Sequence, residues 1–140
     1  MDNQNIKCVM VIDENLPLGL IANTAAVIGI TLGKTFPECV GQDVQDKTSF
    51  KHLGIIEFPV PILKANAIFL KGLRGRLYQQ EFEELTIVDF SDVAQGCKTY
   101  DEFTDKIALV EEGDLQYRGI GIYGNKKLVN KLVGSLPLLR

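Results

Sequence analysis

The sequence predicts an α/β fold in which helices cover both faces of a small sheet. Four apolar segments that favour strands alternate along the chain with four segments of helical periodicity. The first of these segments, residues 7–13, is apolar without alternation, which is typical of a strand buried on both faces. The length of 140 residues suits one domain, so we expect residues 1–140 to form a single unit.

The first half of the chain provides two predicted strands and one long helix. After the strand at 7–13, we expect a helix at about 20–33. Its small residues would face a close neighbour; they are Ala22, Ala25, Ala26, Gly29 and Gly33. Residues 35–53 are polar and predict a loop with little regular structure. Residues 54–63 predict an extended segment, part of which lies on the sheet edge or just outside it, because Pro59 and Pro61 cannot donate to a ladder.

The second half begins with an amphipathic helix at 66–80, whose apolar residues are Ile68, Phe69, Leu73 and Leu77. A strand at 85–90 follows. Thr99 and Glu102 form a capping box that predicts a helix to about residue 111. The last strand is expected at 116–123. Asn125 then predicts the cap of a helix at 126–133 that ends at Gly134.

Composition and charge exclude several classes of function. Hydrophobic residues make up 46% of the chain and charged residues 24%, which excludes global disorder. The net charge of −3 argues against a surface that coats DNA or an anionic membrane, so contact with RNA would need a local patch. The chain has a single histidine, which excludes active sites built from several histidines.

The lack of a recognisable targeting signal and the spacing of the cysteines predict a cytoplasmic protein. The N-terminus, residues 1–7, has no basic start followed by an apolar core, so it is not a secretory signal. The most apolar stretch, residues 16–32, is interrupted by polar side chains and falls short of the ~20 apolar residues of a membrane span. The three cysteines are widely spaced, which fits a reducing compartment. No pair of ligands has the short spacing of a zinc site, so we expect no metal and no cofactor.

Polar residues at the ends of two predicted strands suggest a binding cleft. Asp13 ends the first strand segment and Asp89 lies near the end of the third. Ligands of α/β sheets bind beyond the carboxyl ends of the strands. If these two strands are parallel neighbours, their carboxylates flank one cleft, which Asn15, Asn23 and Thr24 would join. The cleft would then contain a candidate general base.

Structural roles are the alternative for each of these residues. Asp13 can cap a turn, and Asp89 or Ser91 can cap the helical segment that follows the third strand. A buried Asn23 or Thr24 without a partner would cost roughly 1–3 kcal/mol, so each must face a cleft or bond to neighbouring backbone.

Two further motifs are weak signals for phosphate binding. The glycines at 119, 121 and 124 lie mostly within the last strand, so they indicate close backbone packing or a bulge rather than a dinucleotide fingerprint. Lys126, Lys127 and Lys131 on the last helix could attract an anion, but a solvated helix face explains them equally well.

Segments at both ends of the chain resemble an uncharacterised bacterial family, domain of unknown function two thousand (DUF2000). The resemblance covers nearly the whole chain and is carried by residues 11–13, 18–19, 22–26, 59–64, 88–90, 123–124 and 129–139. That family is similar in fold to the type II peptidyl-tRNA hydrolases. The similarity implies a three-layer α/β/α arrangement with a mixed four-stranded sheet, often in dimers.

The resemblance to the hydrolases also implies a role for Asp89, which looks like the carboxylate implicated in their activity. The chain departs from their pattern in the first helix, where Leu20, Ile21, Asn23 and Ala26 replace lysines, glutamine and histidine. A helix is also predicted where the hydrolases pass directly to the last strand.

Three hypotheses about function follow. The first is a binding domain, expected to be a homodimer, for a small molecule or nucleotide in the cleft of Asp13, Asn15, Asn23, Thr24 and Asp89. The second is an enzyme that hydrolyses an acyl or peptidyl ester on tRNA, in which Asp89 orients water and Lys131 holds phosphate. The third is a dimer that associates through the apolar tail at 136–139.

Overall fold

The structure, a computed structural model, describes residues 5–140. Residues 1–4 lie outside this range. They make up most of the segment, residues 1–7, in which we expect no secretory signal. The strands are β1 (Ile6–Asp13), β2 (Val44–Gln45), β3 (Lys51–His52), β4 (Ile62–Ala65), β5 (Thr86–Ser91) and β6 (Tyr117–Asn125). The helices are α1 (Leu18–Thr35), α2 (Ala67–Leu77), α3 (Asp92–Gly96), α4 (Tyr100–Ile107) and α5 (Lys126–Val133).

The main sheet has four strands in the order β4-β1-β6-β5. β1 is parallel to β4, and β6 is antiparallel to both β1 and β5. The sheet is therefore mixed, as the resemblance implies. β1, β4 and β5 point their carboxyl ends to the same edge.

Alternating side chains of the sheet build a core on each of its faces. From β1, Val9 and Val11 pack with residues of α2 and α5, whereas Met10 and Ile12 pack with Ile28 of α1. Both faces of the sheet are covered by helices because β1 points apolar side chains to each face. The three-layer α/β/α prediction is confirmed.

The buried side of α1 differs from the prediction. Thr24, Ile28 and Leu32 are buried, whereas the small residues Ala22 and Ala26 are exposed. The small residues that permit close packing lie in β6 instead. A Cβ built on Gly119 would lie 2.6 Å from Cγ2 of Thr24, and Gly121 lies under Ile28 in the same way. The interpretation of these glycines as sites of close backbone packing is confirmed.

α2 begins where Asn66 caps it, since Asn66 Oδ1 accepts a hydrogen bond from Phe69 N at 2.8 Å. The helix buries Leu70, Leu73 and Leu77. Two of the apolar residues on which the predicted amphipathic helix rests lie outside this buried face: Ile68 is 85% exposed and Phe69 is also exposed. Leu70 therefore belongs to the helix face that joins the core on this side of the sheet.

The polar segment at 35–53 contains more structure than predicted. It forms a 3-10 turn at Pro37–Cys39 and a short hairpin of β2 and β3. His52 lies in this hairpin and bonds to Asp46 Oδ2 at 2.7 Å. The sequence gives little sign of these strands, because each is only two residues long.

The edge strand β4 is covered by the C-terminal tail. Lys64 N donates to Pro137 O at 3.0 Å, and Leu139 N donates to Ile62 O at 2.8 Å. Pro59 and Pro61 precede β4, as their missing N–H groups predict. The tail is thus part of this chain's own fold, which argues against its use as a free association surface.

Candidate functional site

Asp13 and Asp89 lie at the same edge of the sheet, but not on neighbouring strands. β6 separates β1 from β5, so the condition for a shared cleft is met only in part: the two strands are parallel but not adjacent. Val11, Ile120 and Asp89 align across the three strands, which puts Asp89 two strand spacings, roughly 10 Å, from β1.

The other predicted cleft residues do not gather around Asp89. Asp13 is buried, and its Oδ1 accepts a hydrogen bond from Asn15 N at 3.0 Å, which closes the turn after β1. The side chains of Asn15 and Asn23 are exposed. Thr24 packs on the α1 side of the sheet, and its hydroxyl donates to Leu20 O at 2.7 Å. Thr24 therefore bonds to neighbouring backbone, the second of the two outcomes considered.

Asp89 faces α2, where it forms an ion pair. Arg74 Nε donates to Asp89 Oδ2 at 2.9 Å, and the two side chains are 14% and 28% exposed respectively. The Arg74 guanidinium also lies over the Tyr78 ring, 4.0 Å from its centroid. These contacts hold the guanidinium at the carboxyl end of β5.

A second ion pair lies one turn earlier on α2. Lys71 Nζ lies 3.0 Å from Glu112 Oε2 and donates to the backbone oxygens of Glu112 and Leu115, at 2.9 Å in the case of Leu115. The Tyr117 hydroxyl donates to the same Glu112 oxygen at 2.7 Å. That hydrogen bond and the Lys71 ammonium lower the pKa of Glu112, and burial raises the pKa of Tyr117.

These five residues, Lys71, Arg74, Asp89, Glu112 and Tyr117, form what we call the Asp89 cluster. Two cations face two carboxylates, so the cluster has no net charge. Two basic side chains are present near Asp89, as a tRNA-binding site would need, but each is already paired with an acid. The cluster therefore provides oriented polar groups and little attraction for a polyanion.

A groove of about 480 Å³ adjoins the cluster, a size typical of small-molecule sites. It runs between α2 and the segment before β6. We call it the α2 groove; its lining is Ala67, Ile68, Lys71, Gly72, Gly113, Asp114, Leu115 and Gln116. A Cβ built on Gly72 or on Gly113 would meet no atom within 4 Å, so both glycines border open space.

The family model described as protein of unknown function (DUF2000) matches residues 6–140. The chain belongs to the DUF2000 family. Among solved structures, a protein of unknown function, Atu0240 from Agrobacterium tumefaciens strain C58, is similar in fold, with a TM-score of 0.86 at 12% sequence identity. The match covers 96% of this chain and 97% of that chain. No curated protein matches.

Most of the Asp89 cluster in this DUF2000 protein was not predicted as a site. The basic residues of α2 appear in the sequence only as the polar side of an amphipathic helix. Lys71 and Arg74 are three residues apart, which places them on one helix face, and this spacing was the available signal. Nothing local marks Glu112 or Tyr117 as partners of Lys71, because Glu112 lies 41 residues further along the chain and Tyr117 lies beyond it.

Lys131, the predicted phosphate ligand, lies elsewhere. Its Nζ pairs with Glu81, which precedes β5, whereas Asp89 lies near the end of that strand. Lys126 and Lys127 are exposed on α5.

Within residues 5–140, no group of three or more His, Cys, Asp or Glu side chains could hold a metal ion. One helix of the described chain, α1, is long and apolar enough to cross a membrane by length and composition alone.

Proposed function

We propose that this DUF2000 protein is a binding domain for a small molecule, and that the α2 groove beside the Asp89 cluster is its binding site. The observation that carries the proposal is the groove itself, which adjoins oriented, partly buried charges at the carboxyl edge of the sheet. Open α/β sheets bind ligands at this edge. A small metabolite or a single nucleotide fits the volume.

The lining of the groove suits a ligand with an apolar body and a few polar groups. Ala67, Ile68 and Leu115 offer apolar surface, while Asp114 and Gln116 can accept or donate hydrogen bonds at one side. The Lys71 ammonium is already bonded to Glu112 and Leu115, so it orders the wall of the groove rather than presenting an unpaired charge.

A thermal-shift screen with nucleotides, amino acids and tRNA fragments tests the proposal. A ligand at about 100 times its Kd stabilises the folded state by about 2.7 kcal/mol and raises Tm by several degrees. Gly72→Leu would fill the groove and should abolish the shift. Gly75→Leu is the matched control, because Gly75 also borders open space on α2 but does not line the groove. A Tm shift that survives in Gly72→Leu would exclude the groove as the site.

A second candidate function is hydrolysis of an acyl or peptidyl ester on tRNA, which follows if the resemblance of the sequence to the type II peptidyl-tRNA hydrolases extends to activity. The position of Asp89 favours it, since this carboxylate is partly exposed beside a cation at the end of β5. In this hypothesis Asp89 orients water, and Lys131 would have to leave Glu81 to hold phosphate. Cleavage of peptidyl-tRNA by the wild type that is lost in Asp89→Asn and kept in Glu84→Gln would support the enzyme.

We also propose a homodimer formed through the outer face of α1. Its outward side, opposite the buried Thr24, Ile28 and Leu32, carries Ala22, Ala26 and Ile30, and Ile30 is 74% exposed. The helix has no charged residue from Leu18 to Gly33. An uncharged face of small residues around an exposed isoleucine suits a two-fold contact with a second copy of itself. Sedimentation should show a dimer that Ile30→Glu converts to a monomer and that Lys127→Glu, on the exposed side of α5, leaves intact. A wild type that is monomeric at high micromolar concentration would refute the dimer.

A cytoplasmic location completes the proposal. Cys8, Cys39 and Cys97 are free thiols, and the first two are buried, which suits a reducing compartment. Cell fractionation of the native protein tests this location.

A further inference from the structure

A second cavity lies on the opposite face of the sheet from the α2 groove. It has a volume of about 190 Å³ and lies between α1 and β1. Cys8 and Met10 of β1, Gly29 and Gly33 of α1, Cys39, and Tyr123 of β6 contribute to its wall. Most of its residues belong to the core on the α1 side, and none of them belongs to the Asp89 cluster.

The glycines of α1 leave the space that forms this cavity. A Cβ built on Gly29 would lie 3.5 Å from Met10 Cε, an ordinary contact, and a Cβ on Gly33 would meet no atom within 4 Å. On the opposite side, the Tyr123 ring is held by Phe36, whose ring stacks on it with centroids 3.9 Å apart. The cavity therefore has a firm aromatic wall and an open side at the glycines.

The side chains that form the cavity wall are uncharged. None of its residues is Asp, Glu, Lys, Arg or His. Burial raises the pKa of the Cys8 thiol to about 11, and burial also raises the pKa of Cys39, so both thiols are neutral at pH 7. A charged ligand would be desolvated here without a counter-ion, which disfavours anions and cations as occupants. Thiols, a thioether and an aromatic ring are polarisable and favour aromatic ligands.

We propose that this cavity is a binding site for a compact, neutral, apolar molecule about the size of one aromatic ring. An apolar cavity of about 150 Å³ holds one benzene molecule, so the space here is sufficient for such a ring with a small substituent. The inference is independent of the proposed function, because it concerns the opposite face of the sheet.

Methionine methyl NMR gives a direct test, since the chain has only 2 methionines and Met10 lines the cavity. The reduced protein, labelled at the methionine methyl group, is titrated with indole, with benzene and with benzoate. The Met10 signal, assigned with Met10→Leu, should shift and saturate with indole or benzene. Benzoate has nearly the same shape as a substituted benzene but carries a charge, and it should cause no saturable shift.

Cavity-filling variants link the shift to this site. Gly33→Leu should weaken indole binding at least tenfold, and Gly19→Leu should leave it unchanged, because Gly19 lies on the same helix in open space away from the cavity. If Gly33→Leu does not fold, Gly29→Ala places a methyl group against Met10 and should weaken binding severalfold. The absence of a saturable shift in the folded wild type, equal binding of benzoate, or unchanged binding in the filled variant would overturn the proposal.

Discussion

Thr24 lies directly over Gly119, so that a Cβ at position 119 would be 2.6 Å from the Thr24 methyl group. The long helix α1 can approach the sheet closely because the central strand β6 lacks a side chain at this point. The Thr24 hydroxyl is satisfied by Leu20 O, which leaves only its methyl group to fill the space above the strand.

This contact predicts that Gly119→Ala destabilises the protein by about 1–3 kcal/mol, the usual cost of overpacking a core. Thr24→Ser removes the opposing methyl group and keeps the hydroxyl. The double variant Gly119→Ala/Thr24→Ser should therefore be more stable than Gly119→Ala alone. Urea denaturation measures all three free energies of unfolding. Equal effects in the single and double variants would show that α1 does not contact β6 here.

The ion pair of Arg74 and Asp89 predicts a larger stability effect than a surface pair. Arg74→Met leaves a partly buried carboxylate without its cation and should cost about 1–2 kcal/mol. Lys106→Met breaks the more exposed pair with Glu102 and should cost much less. A cycle with Asp89→Asn isolates the pairwise energy. If Arg74→Met and Lys106→Met have equal effects, the Asp89 cluster does not stabilise the fold.

The lowered pKa of Glu112 predicts that the protein loses stability in acid. The Tyr117 hydroxyl and Lys71 lower its pKa in the folded state below the usual 4.5. The stabilisation is therefore present above about pH 4.5 and is lost as the pH falls through the lower, folded value. Tyr117→Phe removes the largest cause, so its free energy of unfolding should decline less than that of the wild type between pH 5 and pH 3. Parallel declines in the two proteins would contradict this role of Glu112.

The sequence was most informative where local chemistry decides the structure. Ser91, Thr99 and Asn125 cap the helices that follow them, and each side chain accepts a backbone N–H of the first turn. Such contacts span a few residues, so a local pattern is enough to predict them.

The sequence was least informative where partners are distant along the chain. The side of α1 that faces the sheet depends on glycines about 95 residues away, at 119 and 121 in β6. Likewise, Asp89 was identified as a candidate, but its partner Arg74 was not, because the pairing depends on how α2 crosses the sheet. Periodicity identifies an amphipathic helix and leaves its partners open.

Because the C-terminal tail covers the edge of β4, we expect that removing it makes the protein associate with further copies of itself. Residues 137–139 bond along the outer edge of β4, and Leu136 and Leu139 pack against the cores on the two faces of the sheet. Removal of residues 136–140 exposes an unpaired strand edge, which is a template for intermolecular pairing. The truncated protein should melt at a lower temperature and aggregate in light scattering, whereas Leu138→Ala, which keeps the backbone bonds, should do neither. A truncated protein that instead stays folded and turns from a dimer into a monomer would show that the tail is the association surface after all.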